Sequence, residues 1–472
     1  MWESIDEMLK SFRECFSREA AYKWFVIIVI GLMVRSDHVG VTSVIRELGI
    51  NPVHYESMLH LFKASSWKIE KLIGCWVKIV AKSGLLHRVH GKPLMMGDGV
   101  KESKEGRKMP GVKKLSQESE NSRKSSYIHG HMFGSIGILL GTPKKFFCTL
   151  LSMRLHDGNS IISEWKGDEL AKESHVARTV REACQLAVRI GESCRLALDR
   201  YYLTVNALET LRQFGNGMVH IVTKAKKNAV AYEHPVRKPG RGQPPKKGAN
   251  VKLLDLFSTH ADAFVNAKVN IYGKVQDVEF FVIDLLWGKK LYQELRFVLV
   301  KYQGKCSILA STDLSLSGEA VIEIYAFRFK IESAFRELKQ IISGFAYRFW
   351  SRSMPRLNRF AKNDVMEQKL ESVFDEHHRA KVIDTFNAIE GFAMFALIAL
   401  GIIQLVSLRF HHIINASAFR WLRTVRNDIP SEATTADFLR KDFSNTFRFS
   451  PDLSINHFIR EAQSDTCDSS AV

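Results

Sequence analysis

Fifty residues of the chain are Asp or Glu, and three of them stand where chemistry could be assembled. Asp98 closes the short apolar run KPLMMGDG, and Asp199 closes the run in CRLALDRYY. Each reads as an acid at the C-terminal end of a strand, where the loops of an open α/β sheet converge over ligands and ions. Glu332 lies in GEAVIEIYAFRFKIESAFRELKQIISG, whose apolar spacing predicts one amphipathic helix. Tyr325, Arg328 and Lys339 share that helix, and at 3.6 residues per turn they fall near one face with Glu332. Arg328 and Glu332 alone could form an i,i+4 surface pair worth a few tenths of a kcal/mol. Such a pair does not explain a row of aromatic, basic and acidic side chains interrupting an apolar helix. Glu319 and Glu323 are rival acids without matching Arg and Lys spacing.

The elements that must position these residues follow in a regular order. After KPLMMGDG come two further strand-like runs, YIHGHMFGSIGILLG and KFFCTLLSMRL, separated by the turn GTPKK. SHVARTVREACQLAVRIG has helical spacing, CRLALDRYY reads as a strand, LTVNALETLRQFG as a helix stopped by Gly215, and MVHIVTKA as a strand. The order β-β-β-α-β-α-β predicts a mixed α/β sheet. VNAKVNIYG, VEFFVIDLLW, LRFVLVKY and CSILAST then read as a β insertion ahead of the Glu332 helix. Residues 1–90 read as helical, with Thr42 and Ser43 as candidate caps before VIREL, Gly49 as a break and Pro52 opening a second helix. Helix, glycine turn, helix is the outline of a helix-turn-helix, and any two short packed helices share it. Residues 351–472 read as mostly helical.

Composition limits the classes available. The chain has 472 residues, is 46% hydrophobic and carries a formal charge of +18. Disorder of the whole chain is excluded, and the charge suggests a polyanionic partner. Seven cysteines form no CxxC pair, which argues against a disulfide framework and a structural zinc site. MWESIDEMLK is not a signal peptide in pattern, and no Walker loop supports a nucleotide cofactor. Residues 224–252 hold nine Lys or Arg, among them Arg241, Lys246 and Lys247, against the single acid Glu233. Cations on a Pro/Gly backbone suit a phosphate track, against the plainer reading of a solvated loop. His129 and His131 would point the same way from a strand; with no third ligand, they read as strand-face histidines near a nucleic acid rather than a zinc pair. Trp24 to Val34 is too short to span a membrane. Gly391 to Leu408 is at the lower edge of spanning length and reads as a helix buried on all sides in a soluble domain, with Phe392, Phe395, Leu397 and Ile398 on different sides and nearly all buried. A cytoplasmic, nucleoid-associated protein without a membrane span is expected.

YAFRFKIESAFRELK fits the pattern Tyr-x2-Arg-x3-Glu-x6-Lys, and in this the chain resembles the large branch of bacterial insertion-sequence DDE transposases that carries that signature. GDGVKESKEGRKMPGVKKL resembles the segment around the family's first catalytic aspartate, LALDRYY the second, and STDLSLSGEAVIEIYAFRFKIE the lead into the glutamate; RFWSRSMPRL, just after, is also similar. The resemblance runs from the helical N-terminus to about residue 410.

It implies an α/β, ribonuclease-H-like mixed-sheet core over residues 91–230 and 312–350, interrupted by a β-rich insertion with a basic entry loop over 231–311. The flanks are a helical region 1–90 and a helical region 351–472 that could dimerise. Asp98, Asp199 and Glu332 match the catalytic, metal-binding triad, which takes two Mg²⁺ (or Mn²⁺) ions through hard oxygen ligands. Tyr325, Arg328 and Lys339 match residues that hold DNA near the transposon end. A Trp in the insertion of related transposases stacks beside a flipped base, which would fall here to Trp287; a core or hairpin Trp is the other reading. The implied activity is metal-dependent cleavage at inverted-repeat ends and transfer of the 3′-OH into target double-stranded DNA, with a homodimer in the synapse. A nuclease of the same core without strand transfer, and an inactive transposase-derived DNA-binding protein, are the alternatives.

Overall fold

The computed structural model describes residues 1–37, 39–117, 125–143, 145–156, 158–236, 244–359, 369–416 and 428–464. Its strands are β1 (Arg88–Val89), β2 (Lys92–Ser103), β3 (Lys113–Ser116), β4 (Tyr127–Thr142), β5 (Lys145–Leu155), β6 (Cys194–Leu198), β7 (Val219–Lys224), β8 (Val230–Tyr232), β9 (Asn250–Lys252), β10 (Val265–Ile271), β11 (Lys274–Trp287), β12 (Gln293–Tyr302) and β13 (Lys305–Ser311). The core order is β5-β4-β2-β6-β7, antiparallel from β5 to β2 and parallel from β2 to β7. Helix His175–Ile190 connects β5 to β6, and helix Val205–Phe214 connects β6 to β7. Their starts are set by side chains: Ser174 accepts a hydrogen bond from the Ala177 amide and Thr204 one from the Ala207 amide. This is a mixed α/β, ribonuclease-H-like fold.

The runs of Val, Leu and Met identified as strands are central because both their faces are covered: Leu94, Met95, Met96, Leu196 and Leu198 are all fully buried. After β7 the chain builds β8 to β13, and β13 returns antiparallel beside β7, with Ala310 opposite Thr223. The inserted strands therefore continue the core sheet, giving thirteen strands among the described residues. They carry a second, smaller core around Leu285, Leu295, Phe297 and Leu299.

Three local expectations need correction. Asp98 is not at the end of β2: only the parallel pairing with β6 stops at Gly97, while antiparallel pairing to β4 carries β2 on to Ser103. The Glu332 segment is not one α-helix. It is helix Gly318–Ala326, a 3-10 turn Phe327–Phe329 and helix Lys330–Gln340. A 3-10 turn inside a helical run shifts the angular position of everything after it, so ideal-helix face arithmetic does not carry across. Finally, neither Thr42 nor Ser43 caps helix Thr42–Leu48, whose N-cap is Val41; the Ser43 hydroxyl instead donates to the Gly40 carbonyl at 3.0 Å.

Helix Glu376–Arg409 runs through the middle of the molecule, and every residue from Ala388 to Leu408 is buried. Phe392, Phe395, Leu397 and Ile398 are at most 1% exposed. It packs on β5 and on helices Glu19–Val34 and Tyr55–Lys63, with Phe25 edge-on to Phe395 at 4.9 Å. Gln404, its polar member, is satisfied by Thr149 at 2.7 Å and Glu432 at 3.2 Å. Gly401 lets Trp76 lie directly on the helix: a Cβ there would fall 2.2 Å from the indole. This is a core helix.

Candidate active site

Pairing of β2 with β6 ends at Gly97 opposite Leu198, so Asp98, still within β2, and Asp199, just past β6, stand side by side, about 4.8 Å apart along the hydrogen-bonding direction. Asp98 accepts the Gly99 amide on Oδ1 at 2.8 Å and the Arg328 guanidinium on Oδ2 at 3.0 Å. Asp199 accepts the Arg200 amide at 2.7 Å, and its carbonyl takes the Thr223 hydroxyl at 2.8 Å. Glu332 stands in the first turn of its helix and accepts from the other side of the same guanidinium. The 3-10 turn at Phe327–Phe329 places Arg328 between Asp98 and Glu332.

The electrostatics agree with that geometry. Burial pushes the Asp98 carboxyl up to about 6, Arg328 opposes the rise, and the nearby charges of Asp199 and Glu332 add to it. Burial alone would lower Arg328; Asp98, Tyr325, Glu332 and Asp199 together hold it above its ordinary value. Burial, with Asp199 and Tyr272, pushes the half-buried Tyr325 up to about 12. Asp98 and Glu332 thus share one cation in a partly desolvated space, with Asp199 near enough for its charge to act on both Asp98 and Arg328.

Asp98 and Asp199 open into a cleft of 770 Å³ with Tyr201, Tyr202 and His175 on its walls. Its other side is cationic: Lys101, Lys113, Lys114 and Lys339 line it. Lys339 is anchored by the Lys101 carbonyl and by Glu102, both at 2.9 Å. Lys101, Lys113 and Lys114 stand in KESKEGRKMPGVKKL, where the one local signal is a pair of lysines beside a Leu that pairs into the sheet as β3.

The donor set suits a hard divalent cation: all oxygen, crowded, and already balanced by a positive group. As they stand, no three Asp, Glu, His or Cys side chains among the described residues are grouped to hold one ion. The guanidinium lies between two of the carboxylates.

The other candidate residues lie elsewhere. Trp287 is half-buried at the end of β11, opposite Gln293 and against the second core, the position of a hairpin residue. Lys246 is exposed; Lys247 donates to Asn250 at 2.8 Å and lies 4.1 Å over the Tyr232 ring. Arg241 lies outside the described residues. Glu323 pairs with His90 at 2.9 Å, away from the carboxylate group. His131 is not a surface residue: it is fully buried, bonded to the Tyr347 hydroxyl at 2.7 Å and the Pro110 carbonyl at 2.9 Å. The strap after the Glu332 helix covers the strand face that the sequence left open.

Burial pushes His131 and His156 down to about 3 each, against about 6.5 in an unfolded chain. Between those values the unfolded state binds more protons, so stability is complete above about pH 6.5 and falls on acidification, by up to ~1.4 kcal/mol per pH unit per histidine. Asp98, raised to about 6, works in the opposite sense between about 3.9 and 6 and offsets part of this loss. The urea midpoint should therefore drop between about pH 7 and pH 5; a flat profile would show that neither histidine is held neutral.

Residues 11–267 match the family model described as DDE superfamily endonuclease. With more than half of its length inside that match, the chain belongs to the DDE superfamily endonucleases. Both aspartates lie inside the matched region and Glu332 lies beyond it. No curated protein and no solved structure matches the chain.

Proposed function

We propose that this chain is a DNA transposase of the insertion-sequence type marked by Tyr325, Arg328, Glu332 and Lys339. The observation that carries the reading is that Asp98 and Glu332 share the Arg328 guanidinium while Asp199, whose charge is felt at Asp98, lines the same lysine-rich cleft as Asp98. In this reading the three acids hold Mg²⁺ or Mn²⁺, two ions in all, once Arg328 swings from between them. Bound there, the ions supply Lewis-acid activation of a water or 3′-OH and neutralise the leaving oxygen. The chain itself binds and orients. Arg328, freed, and Lys339 hold phosphates near the scissile bond, Tyr325 supports Arg328, and Lys101, Lys113 and Lys114 carry the backbone into the cleft. The partners are terminal inverted repeats and target double-stranded DNA, with a homodimer at the synapse and the nucleoid as the site of action.

The test is a joining assay with pre-cleaved terminal-repeat DNA, a plasmid target and Mg²⁺. Repeat DNA covalently joined to plasmid is the expected product. The family description extends to endonuclease activity, so nicking without joining would replace the transposase reading with that of a nuclease. No reaction at all would defeat both.

The basic stretch 224–252 is assigned to non-specific backbone contact. Neutralising Arg241, Lys246 and Lys247 should weaken binding to all sequences alike and lower the log-salt slope by up to about 0.9 per lost phosphate contact. An unchanged slope would return the stretch to a solvated loop.

A further inference from the structure

The segment RFWSRSMPRL follows the Glu332 helix, and nothing in the cleavage site uses it. Burial alternates along it: Tyr347, Phe349 and Ser351 point inward, while Arg348, Trp350 and Arg352 point out. A period of two puts those three on one face, an aromatic ring between two cations. Trp350 is 53% exposed. A Trp of that area left open between two arginines is not explained by packing, since Tyr347 and Phe349 already supply the strap's hold on the core.

The strap is a rigid mount. Lys104 caps the Tyr347 carbonyl at 3.3 Å and lies 3.8 Å over its ring, the Ser351 amide donates to the Lys108 carbonyl at 3.1 Å, and the Leu357 amide donates to the Arg107 carbonyl at 2.8 Å. Residues 104–108 follow directly on β2, so the strap is tied to the chain that leaves the strand carrying Asp98.

Trp350 and its arginines form one wall of a groove of 1190 Å³. Tyr55 and Lys63 of helix Tyr55–Lys63 and Lys381 of the central helix line it as well. Lys63, Arg348, Arg352 and Lys381 outnumber Glu56 and Asp384, the acids on the same walls. The surface is cationic, concave and aromatic.

We propose that this groove binds an unpaired DNA strand leaving the cleft, with a base stacked on Trp350 and the flanking phosphates held by Arg348 and Arg352. The inference rests on the reading that the cleft acts on DNA. Its chemistry is that of single-strand binding surfaces, in which an aromatic face accepts any base and cations follow the backbone.

The test compares binding of the full chain, without divalent ion, to a blunt duplex and to the same duplex ending in a single-stranded tail. Wild type should prefer the tailed DNA. Trp350→Ala should lower affinity for the tailed DNA by roughly 5- to 150-fold, the range for one stacked base, and leave the blunt duplex unchanged. Trp350→Phe should keep most of the preference. Arg348→Gln with Arg352→Gln should reduce the salt slope on tailed DNA by about 0.7 per lost contact. Unaltered thermal melting of each variant separates these effects from misfolding. No preference in wild type, or equal losses on both DNAs in Trp350→Ala, would overturn the proposal and leave the groove to a protein partner. Because no divalent ion is present, this result is independent of whether the cleft cuts or joins DNA. A failed joining assay with an intact tail preference would count against the transposase reading alone.

Discussion

Asp98→Asn, Asp199→Asn and Glu332→Gln should each reduce metal-dependent DNA nicking by on the order of 10³-fold or more, about 4 kcal/mol of barrier. The reason lies in charge. Asp98 is raised to about 6 by burial and by the two neighbouring acids, so without a cation the site is already at the limit of what it can hold ionised. A neutral amide at any of the three positions removes the electrostatic reason for a divalent ion to bind. DNA binding should survive, because in the proposed function the phosphate contacts are assigned to Lys101, Lys113, Lys114 and Lys339, which line the cleft with Asp98 and Asp199. Asp98→Asn should not lower the melting temperature, since it relieves crowding and leaves Arg328 its contact with Glu332. Nicking retained in any of the three variants would remove that residue from the reacting group.

Arg154→Met should cost about 3–5 kcal/mol of folding stability, the usual penalty for leaving buried charges unpaired. Arg154 lies on β5 and contacts Glu70, and it stands 3.7 Å from both Glu182 and Glu390. Those acids come from three different helices, so one guanidinium ties the sheet to the helices covering its back. Burial raises Glu182 above the ordinary carboxylate range even with Arg154 present. Without the cation, protonation becomes the way to neutralise the cluster, and the deficit measured by urea unfolding should shrink as pH is lowered towards about 5. A loss below about 1 kcal/mol at neutral pH would mean that water, not Arg154, serves these acids.

The parts of this molecule that could be read from sequence are those with a local signature. β4, β5 and the helix of residues 175–190 carry their period in their own residues, and the stretch 391–408 is apolar on every side because every side is covered. Asp98 and Asp199 stand out because an acid ends each apolar run. What pairing alone decides was not legible. β2 extends to Ser103 only because β4 lies beside it, and β3 is a four-residue strand defined by a partner. The 3-10 turn that delivers Arg328 to Asp98 has no signature within FRF. His131 looked like a surface histidine because the residue that buries it, Tyr347, lies 216 positions away. The cluster around Arg154 joins β5 to three separate helices, and no sequence spacing encodes such a meeting.

The central claim is that Asp98, Asp199 and Glu332 form one cation site now spanned by Arg328. Titrating the protein with Mn²⁺ and following the free ion by electron paramagnetic resonance tests it without DNA or catalysis. Wild type should take up Mn²⁺ above about pH 6, where Asp98 is ionised, and uptake should be lost in Asp98→Asn, Asp199→Asn and Glu332→Gln alike. Mn²⁺ uptake by Asp199→Asn or Glu332→Gln equal to that of wild type would contradict the shared site.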